Sequence, residues 1–198
     1  MRKRILFGTA NQAKIDHIRA FLRTLPVEIL TPRDLNINLV VREDGKSPEE
    51  NAEKKAKAYF AESNIPTLAI DAGLYIEKFT DEKQPGVFVR RVHGLERDAT
   101  DEEILDHYVR ELDRVGGESI GVWRVCVALA ASVDRIFLQS YSLETVLTSR
   151  ASDVMIPGAP VSSLMIDPAT GQYYSEMAYE DRPDSKWILE IMSQYVEL

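Results

Sequence analysis

The sequence predicts an α/β protein with a mixed β-sheet, helices on the faces of the sheet and a site in a cleft. Two observations support this fold class. Strand-like and helix-like segments alternate over the first half of the chain, whereas two long β-rich runs follow each other in the second half. The chain has 198 residues and no repeat or Gly/Ser-rich linker. We therefore expect a single domain over residues 1–198.

The first predicted elements are a strand and a helix. Residues 4–8 form an apolar run that ends at Gly8. From Asn11 onward, the apolar residues that recur on one helical face are Ile15, Ile18, Phe21, Leu22 and Leu25. Pro26 is expected to end this helix. Residues 27–41 then read as extended segments around a Thr-Pro turn.

The second helix has clear start signals. Ser47 is a good N-cap, Pro48 fits the first helical position, and Glu50 is expected to complete a capping box. The buried stripe of this helix is predicted to consist of Ala52, Ala56, Tyr59 and Phe60. Residues 65–79 follow as a strand that is interrupted at residues 71–73 and then resumes.

The rest of the chain contains one more capped helix, a hairpin and a closing helix. Thr100 and Glu103 form a second capping-box pattern. The β-rich runs 120–132 and 135–147 are separated by two residues, which predicts an antiparallel hairpin. Residues 184–196 show helical spacing of apolar residues and are expected to close the fold.

Composition excludes several classes of protein. The formal net charge of −8 argues against a nucleic acid polymer as partner, because such proteins carry a basic face. No apolar run approaches the ~20 residues that a membrane helix needs. The single cysteine, Cys126, cannot form an internal disulfide, so the cytoplasm is the expected compartment. Cys126 lies in an apolar run and is predicted to be a core residue. The histidines lack metal-ligand spacing, and exposed or capping positions are expected for them.

The segment "FGTANQAKI" places three polar side chains where a strand passes into a helix. The first N–H groups of a helix and its dipole favour an anion, and Thr9, Asn11 and Lys14 could add hydrogen bonds and a positive charge. The alternative is that Asn11 only caps the helix and Lys14 is a solvated side chain. The spacing of a Walker P-loop is absent.

Two further places could carry chemistry. Lys55 follows Asn51 by one helical turn, so both could face the same ligand. Asp71 is expected at the end of a buried strand, where open α/β sheets place their working groups, and a carboxylate there suits a metal ion or a general base. The alternative is a turn-forming aspartate ahead of Gly73. Of the two arginines after "QPGVFV", only one could face a given pocket if they lie in a strand.

The order of these motifs carries a resemblance. "TANQAK", "SPEENAEKKA", "AIDAGLYIEKF" and "QPGVFVRR" occur in that order within residues 4–100 and resemble the inosine triphosphate pyrophosphatase family. The resemblance implies a two-lobed α/β fold with a long mixed sheet flanked by helices and a cleft between the lobes. It also implies Mg²⁺-dependent hydrolysis of non-standard purine nucleoside triphosphates to a monophosphate and pyrophosphate, usually by a homodimer.

The resemblance also implies roles for individual residues. Glu43 and Asp71 would hold the metal, and Asp71 would also activate water. The residues implied in substrate binding are Thr9, Asn11, Lys14, Lys55, Gly73, Arg91, Ser185 and Lys186.

Several positions depart from the family pattern. The first aspartate of the family's Asp-Asp-Ser-Gly motif is Ile70 here, and the glutamate expected after the first lysine is His17. The purine-reading Ser-His-Arg is replaced by Ser185-Lys186-Trp187, which cannot make the same hydrogen bonds. Trp187 could stack on a base or belong to the core. Two alternatives therefore stay open: a nucleotide-binding protein without catalysis, and a related hydrolase for another phosphorylated substrate.

Overall fold

The computed structural model describes residues 2–92, 97–183 and 185–196. The α-helices of these residues are α1 (Gln12–Leu22), α2 (Pro48–Ser63), α3 (Asp101–Arg114) and α4 (Ser185–Val196). The strands are β1 (Lys3–Phe7), β2 (Val27–Leu30), β3 (Thr67–Ile76), β4 (Glu118–Ser132), β5 (Arg135–Thr148) and β6 (Met165–Ile166). No helix of the described part is long and apolar enough to cross a membrane.

The strands form one sheet of mixed direction. Their order is β2-β1-β3-β4-β5-β6. Strand β1 pairs in parallel with β2 and β3, whereas β5 pairs with β6 in antiparallel direction. Strands β4 and β5 are neighbours joined by the two residues Val133 and Asp134, a connection that only antiparallel strands allow. The predicted α/β class, mixed sheet and hairpin are confirmed.

The chain divides into two compact units. The first unit contains Met1–Ala72, Val125–Tyr141 and Tyr179–Leu198, and the second contains Gly73–Arg124 and Ser142–Ala178. Strands β3, β4 and β5 therefore contribute residues to both units. The single domain and the cleft expected from the sequence stay predictions.

The first unit has apolar clusters on both faces of its strands. Successive residues of β3 alternate between them, because strand side chains point to opposite faces in turn. Leu68 joins a cluster with Ile18 of α1 and Ile191 of α4. Ala69 joins a second cluster with Ala56 of α2, and this second cluster also contains Cys126, which is fully buried as predicted. The face occupied by Ala69 is thus the face that α2 covers.

The second unit is built around α3. Its buried residues Ile104, Tyr108 and Leu112 pack with Leu74 and with Leu147 in one apolar cluster. Thr100 and Glu103 close a capping box at the start of the helix, as the sequence predicts. The buried apolar residues of α3 recur every four positions, so they lie on one face of a helix, and this spacing explains why the segment is helical.

Three predictions about the bounds of elements are wrong. Helix α1 ends at Leu22, before the predicted Leu25, and no strand is found within residues 31–45 after the Thr-Pro turn. Strand β3 runs without interruption through residues 71–73. Gly73 does not mark a turn: a Cβ atom there would lie 3.1 Å from the carbonyl of Gly86, so Gly73 lets this backbone approach.

Candidate active site

Helix α2 and strand β3 bring Asp71 together with two polar side chains of the helix. Asp71 comes two residues after Ala69 and therefore lies on the face of β3 that α2 covers. Its carboxylate is bonded to Asn51 and Lys55, which are separated by one turn of α2. The predicted strand end is thus wrong: Asp71 lies inside a strand, and the helix packed on that strand supplies its partners.

The ammonium group of Lys55 joins two carboxylates. Nζ lies 2.8 Å from Oδ1 of Asp71 and 3.2 Å from Oε2 of Glu43, and it also donates to the carbonyl of Ile70 at 3.0 Å. Lys55 and Asp71 are only 6% and 5% exposed. Both carboxylates therefore lie beside one buried cation.

Asn51 connects Asp71 to the loop that carries Glu43. Its amide nitrogen donates to Oδ2 of Asp71 at 3.2 Å, and its amide oxygen accepts from the N–H of Gly45 at 2.8 Å. The contact with Gly45 is close, because a Cβ atom at Gly45 would lie 2.6 Å from that amide oxygen. Asn51 is 1% exposed. One side chain thus fixes both the loop and the carboxylate.

Glu50 supports the same loop. Ser47 caps α2 by accepting from the N–H of Glu50, as predicted. The carboxylate of Glu50, however, accepts from the N–H of Lys46 at 2.8 Å. In a capping box this carboxylate would accept from the N–H of the N-cap residue Ser47, but here it accepts from the residue before it. The predicted capping box is therefore only half formed, because the loop turns back toward the helix before Ser47.

The loop at the start of α1 is shaped as a helix cap. The amide oxygen of Asn11 accepts from the N–H of Lys14 at 3.1 Å, and the hydroxyl of Thr9 accepts from the N–H of Asn11 at 3.2 Å. The cap uses the oxygen of the amide, and its NH₂ is the part that can donate to a phosphate. The capping role of Asn11 is confirmed, while binding of a phosphate stays a prediction.

Tyr59 of α2 links this loop to the carboxylates. A Cβ atom at Gly8 would lie 2.8 Å from the ring of Tyr59, so the glycine lets the ring pack on the loop. Burial raises the pKa of Tyr59. The positive charge of Lys55 acts to lower this pKa, and the negative charge of Glu43 acts to raise it. Tyr59 lies one turn beyond Lys55, so the loop and the carboxylates flank the same helix.

Gly73 and Arg91 belong to the second unit. The guanidinium carbon of Arg91 lies 4.6 Å from the ring centroid of Phe88, and its Nε lies 3.8 Å from Asp98. Residues 87–91 consist of turns and irregular backbone rather than a strand, so the alternation expected for Arg90 and Arg91 does not apply. Arg90 instead pairs with the carboxylate of Asp101 at 2.9 Å.

The departures from the family pattern have structural correlates. Ile70 packs against the cluster of α1 and α4, on the face opposite Asp71. The ring of His17 packs 4.3 Å from that of Phe21, so the exposed or capping position expected for it is wrong. Burial, together with the charge of Arg182, lowers the pKa of His17 to about 3.

The positions that the resemblance assigns to purine recognition lie at the start of α4. The side chains of Ser185 and Lys186 lie outside the described part of the structure. Trp187 is half-buried, and its ring stacks on that of Tyr141. The ring centroids lie 4.1 Å apart, and the angle between the ring planes is 10°. It therefore packs against an aromatic ring at the edge of the core rather than inside it.

The two carboxylates form the candidate metal site. No group of three or more His, Cys, Asp or Glu side chains that could hold a metal is found within the described ranges. Glu43 and Asp71 still fit Mg²⁺, because enzymes that act on nucleotides usually bind this ion through one or two carboxylates together with substrate phosphates and water. The donor set is therefore suited to a metal that arrives with a phosphorylated ligand.

Comparison with known proteins identifies the family. Residues 5–149 match the model of the Ham1 family. This chain belongs to the Ham1 family. The dITP/XTP pyrophosphatase of Geobacter sulfurreducens is 32% identical over 145 residues, which cover 73% of this chain and 71% of that protein. The dITP/XTP pyrophosphatase of Leptospira interrogans is 36% identical over 96 residues. That match spans 48% of each protein, so this chain spans about half the length of that relative.

Solved structures of Ham1 proteins share the fold. A HAM1 protein from Coxiella burnetii has a TM-score of 0.77 at 20% identity, with 98% of both chains covered. The Ham1 protein of Staphylococcus aureus has a TM-score of 0.72 at 17% identity, also with 98% coverage of both. The family resemblance seen in the four sequence motifs is thereby confirmed.

The contacts that Asn51 makes within the site were not predicted from the sequence. The spacing of Asn51 and Lys55 predicted a shared ligand, and the structure shows that both contact Asp71. The second contact of Asn51, with Gly45, depends on the path of a loop without regular structure. A glycine six residues before an asparagine was the only available signal.

Proposed function

We propose that this chain hydrolyses non-standard purine nucleoside triphosphates, of the ITP and XTP kind, to a nucleoside monophosphate and pyrophosphate. The observation that carries the proposal is the buried carboxylate of Asp71, held by Asn51 and Lys55 beside Glu43. The relatives named dITP/XTP pyrophosphatase support the choice of substrate. Glu43 and Asp71 would hold Mg²⁺, which when bound neutralises charge on the phosphates.

The residues of the chain divide the work in this proposal. Thr9, Asn11 and Lys14 bind the triphosphate at the start of α1, where the helix dipole favours an anion. Asp71 orients a water molecule and accepts its proton as the oxygen attacks the α-phosphorus. The bond between the α-phosphorus and the bridging oxygen breaks, and pyrophosphate leaves.

The substrate-binding residues outside this group keep the roles implied by the resemblance. Gly73 and Arg91 of the second unit and Ser185 and Lys186 of α4 are proposed to contact the nucleotide. Lys55 is proposed to act on the triphosphate through the carboxylates that it holds, because its donors point to Glu43, Asp71 and Ile70. We also propose a homodimer, which sedimentation of the purified chain tests.

A second candidate is a nucleotide-binding protein without turnover. It is favoured by Ile70, which packs in the apolar cluster at the position of the family's first aspartate. A third is a hydrolase of another phosphorylated compound, which the altered purine-reading positions allow.

One experiment separates these candidates. Release of pyrophosphate and monophosphate is measured for ITP, XTP, dITP, ATP and GTP, with and without Mg²⁺. We expect Mg²⁺-dependent turnover with preference for the non-standard purines. Asp71→Asn, which keeps the shape of the side chain, should lower kcat/KM about a thousandfold while the circular dichroism spectrum is unchanged. Asp106→Asn, at an exposed position of α3, is the matched control.

Each contrary outcome has a clear meaning. Binding of nucleotides without any turnover would replace the proposal with the second candidate. Turnover of only non-nucleotide phosphates would favour the third. Full activity of Asp71→Asn would remove Asp71 from the reaction.

A further inference from the structure

Lys55 is a buried charged group with three hydrogen bonds in the site. An ammonium group has three N–H donors, and the three acceptors of Lys55 are Glu43, Asp71 and the carbonyl of Ile70. Its side chain is buried, so the charge is shielded little by solvent. The energy of this cation is therefore determined by the two carboxylates.

The charges of these groups set a limit on metal binding. Two carboxylates and one ammonium leave one net negative charge, with Asp71 and Lys55 buried and the Glu43 side chain 43% exposed. A divalent cation bound to the same carboxylates would change that sum to one net positive charge, close to a second cation. Uncompensated charge is costly away from water. A triphosphate, which is strongly anionic, would offset it.

We propose that Lys55 is a positioning residue that makes binding of the divalent cation depend on the nucleotide. It holds Glu43 and Asp71 in place and, by its charge, weakens their affinity for a divalent cation alone. The phosphates restore that affinity because they supply the missing negative charge. The metal and the nucleotide would then bind together rather than separately. This inference rests on the proposed function for the identity of the nucleotide.

The test is a titration with Mn²⁺ as the probe, followed by the paramagnetic resonance signal of the free ion. Lys55→Met removes the ammonium and keeps an apolar stem of similar length. We expect Lys55→Met to bind Mn²⁺ alone at least about tenfold more tightly than the wild type, a size usual for coupled sites. Lys57→Met is the matched control, because Lys57 lies on the same helix and pairs with Glu53 at 2.6 Å. Its affinity should equal that of the wild type.

A second titration measures the coupling itself. In the presence of an α,β-methylene analogue of ITP, the affinity of the wild type for Mn²⁺ should rise at least about tenfold, whereas that of Lys55→Met should rise much less. Equal gains in both proteins would overturn the proposal. So would unchanged or weaker binding of Mn²⁺ alone by Lys55→Met.

A thermal unfolding measurement keeps the proposal testable if Lys55→Met is less stable than the wild type. If removal of the ammonium leaves the carboxylates of Asp71 and Glu43 uncompensated and destabilises the fold, Mn²⁺ should raise the Tm of Lys55→Met more than that of the wild type. A larger rise in the wild type would contradict the proposal. Lys55→Gln, which keeps N–H donors without the charge, should also bind Mn²⁺ more tightly. Binding of Mn²⁺ alone does not require turnover, so a failure of the proposed function in the nucleotide panel leaves these results to decide the role of Lys55.

Discussion

The starts of α2 and α3 share one sequence pattern but have different structures. Each has a hydroxyl residue at the N-cap and a glutamate three positions later, Ser47 with Glu50 and Thr100 with Glu103. In both helices the hydroxyl accepts from the N–H of the glutamate, at 3.3 and 3.2 Å. The two glutamates then differ in the partner to which their carboxylates are bonded.

In α3 the carboxylate of Glu103 returns to the N–H of Thr100 at 2.7 Å, so the bonds stay within the first turn. In α2 the carboxylate of Glu50 reaches the N–H of Lys46, and the next residue, Asn51, accepts from Gly45. The helix start therefore holds a longer piece of the preceding loop, close to Glu43. The same sequence pattern only starts the helix in α3, whereas in α2 it also holds the loop of the candidate site.

The largest difference between the two helix starts is expected on substitution of Asn51. Asn51→Ala removes the link between the loop and Asp71, the proposed metal ligand, so we expect kcat/KM to fall about 10- to 100-fold and the Mg²⁺ concentration for half-maximal activity to rise. Pyrophosphate release over a Mg²⁺ titration measures both quantities.

Ser47→Ala is the control at the same helix start. It removes the bond to the N–H of Glu50 but neither contact of Asn51. It should reduce stability by about 1 kcal/mol and leave the Mg²⁺ dependence unchanged. If Asn51→Ala and Ser47→Ala have the same effect on activity, the start of α2 has no role beyond capping.

The contrast also explains what could be predicted from the sequence. The N-caps Ser47 and Thr100 were predicted correctly, and Asn11 has the capping role that was one of its two interpretations, because a cap depends on residues that are close in the chain. The partner of Glu50 could not be predicted, because it depends on the path of residues 43–46. That path has no regular structure and is held by contacts with Glu50, Asn51 and Lys55 of α2, which a capping pattern does not specify.

The same limit applies to Asp71. The sequence predicted a chemical role for its carboxylate but placed it at the end of a strand, because an aspartate ahead of Gly73 suggested a turn. The structure continues the strand, since Gly73 serves the close approach of Gly86. The alternation of the strand then directs Asp71 toward α2 and Ile70 toward the opposite apolar cluster. Local residue types indicated the chemistry, and the neighbouring elements determined the geometry.

A smaller effect is expected at the start of α3. Thr100→Ala removes one side of the capping box, so the free energy of unfolding should fall by about 1 kcal/mol while kcat/KM stays unchanged. Urea unfolding followed by circular dichroism measures the stability. A loss of activity without a loss of stability would show that α3 also serves the reaction, and the distinction between the two helix starts would fail.

The smallest effect is a dependence on pH at Glu103. The guanidinium of Arg97, 2.7 Å away, and the N–H of Thr100 lower the pKa of this carboxyl to about 2. A carboxyl with a lowered pKa in the folded state stabilises the protein above its ordinary pKa of about 4.5 and loses this contribution as the pH falls toward 2. The Tm of Glu103→Gln should therefore lie below that of the wild type at pH 6, and the gap should narrow between pH 4.5 and pH 3. A gap that stays constant over this range would mean that the carboxylate of Glu103 adds nothing to the cap, and that α3 begins on the hydroxyl of Thr100 alone.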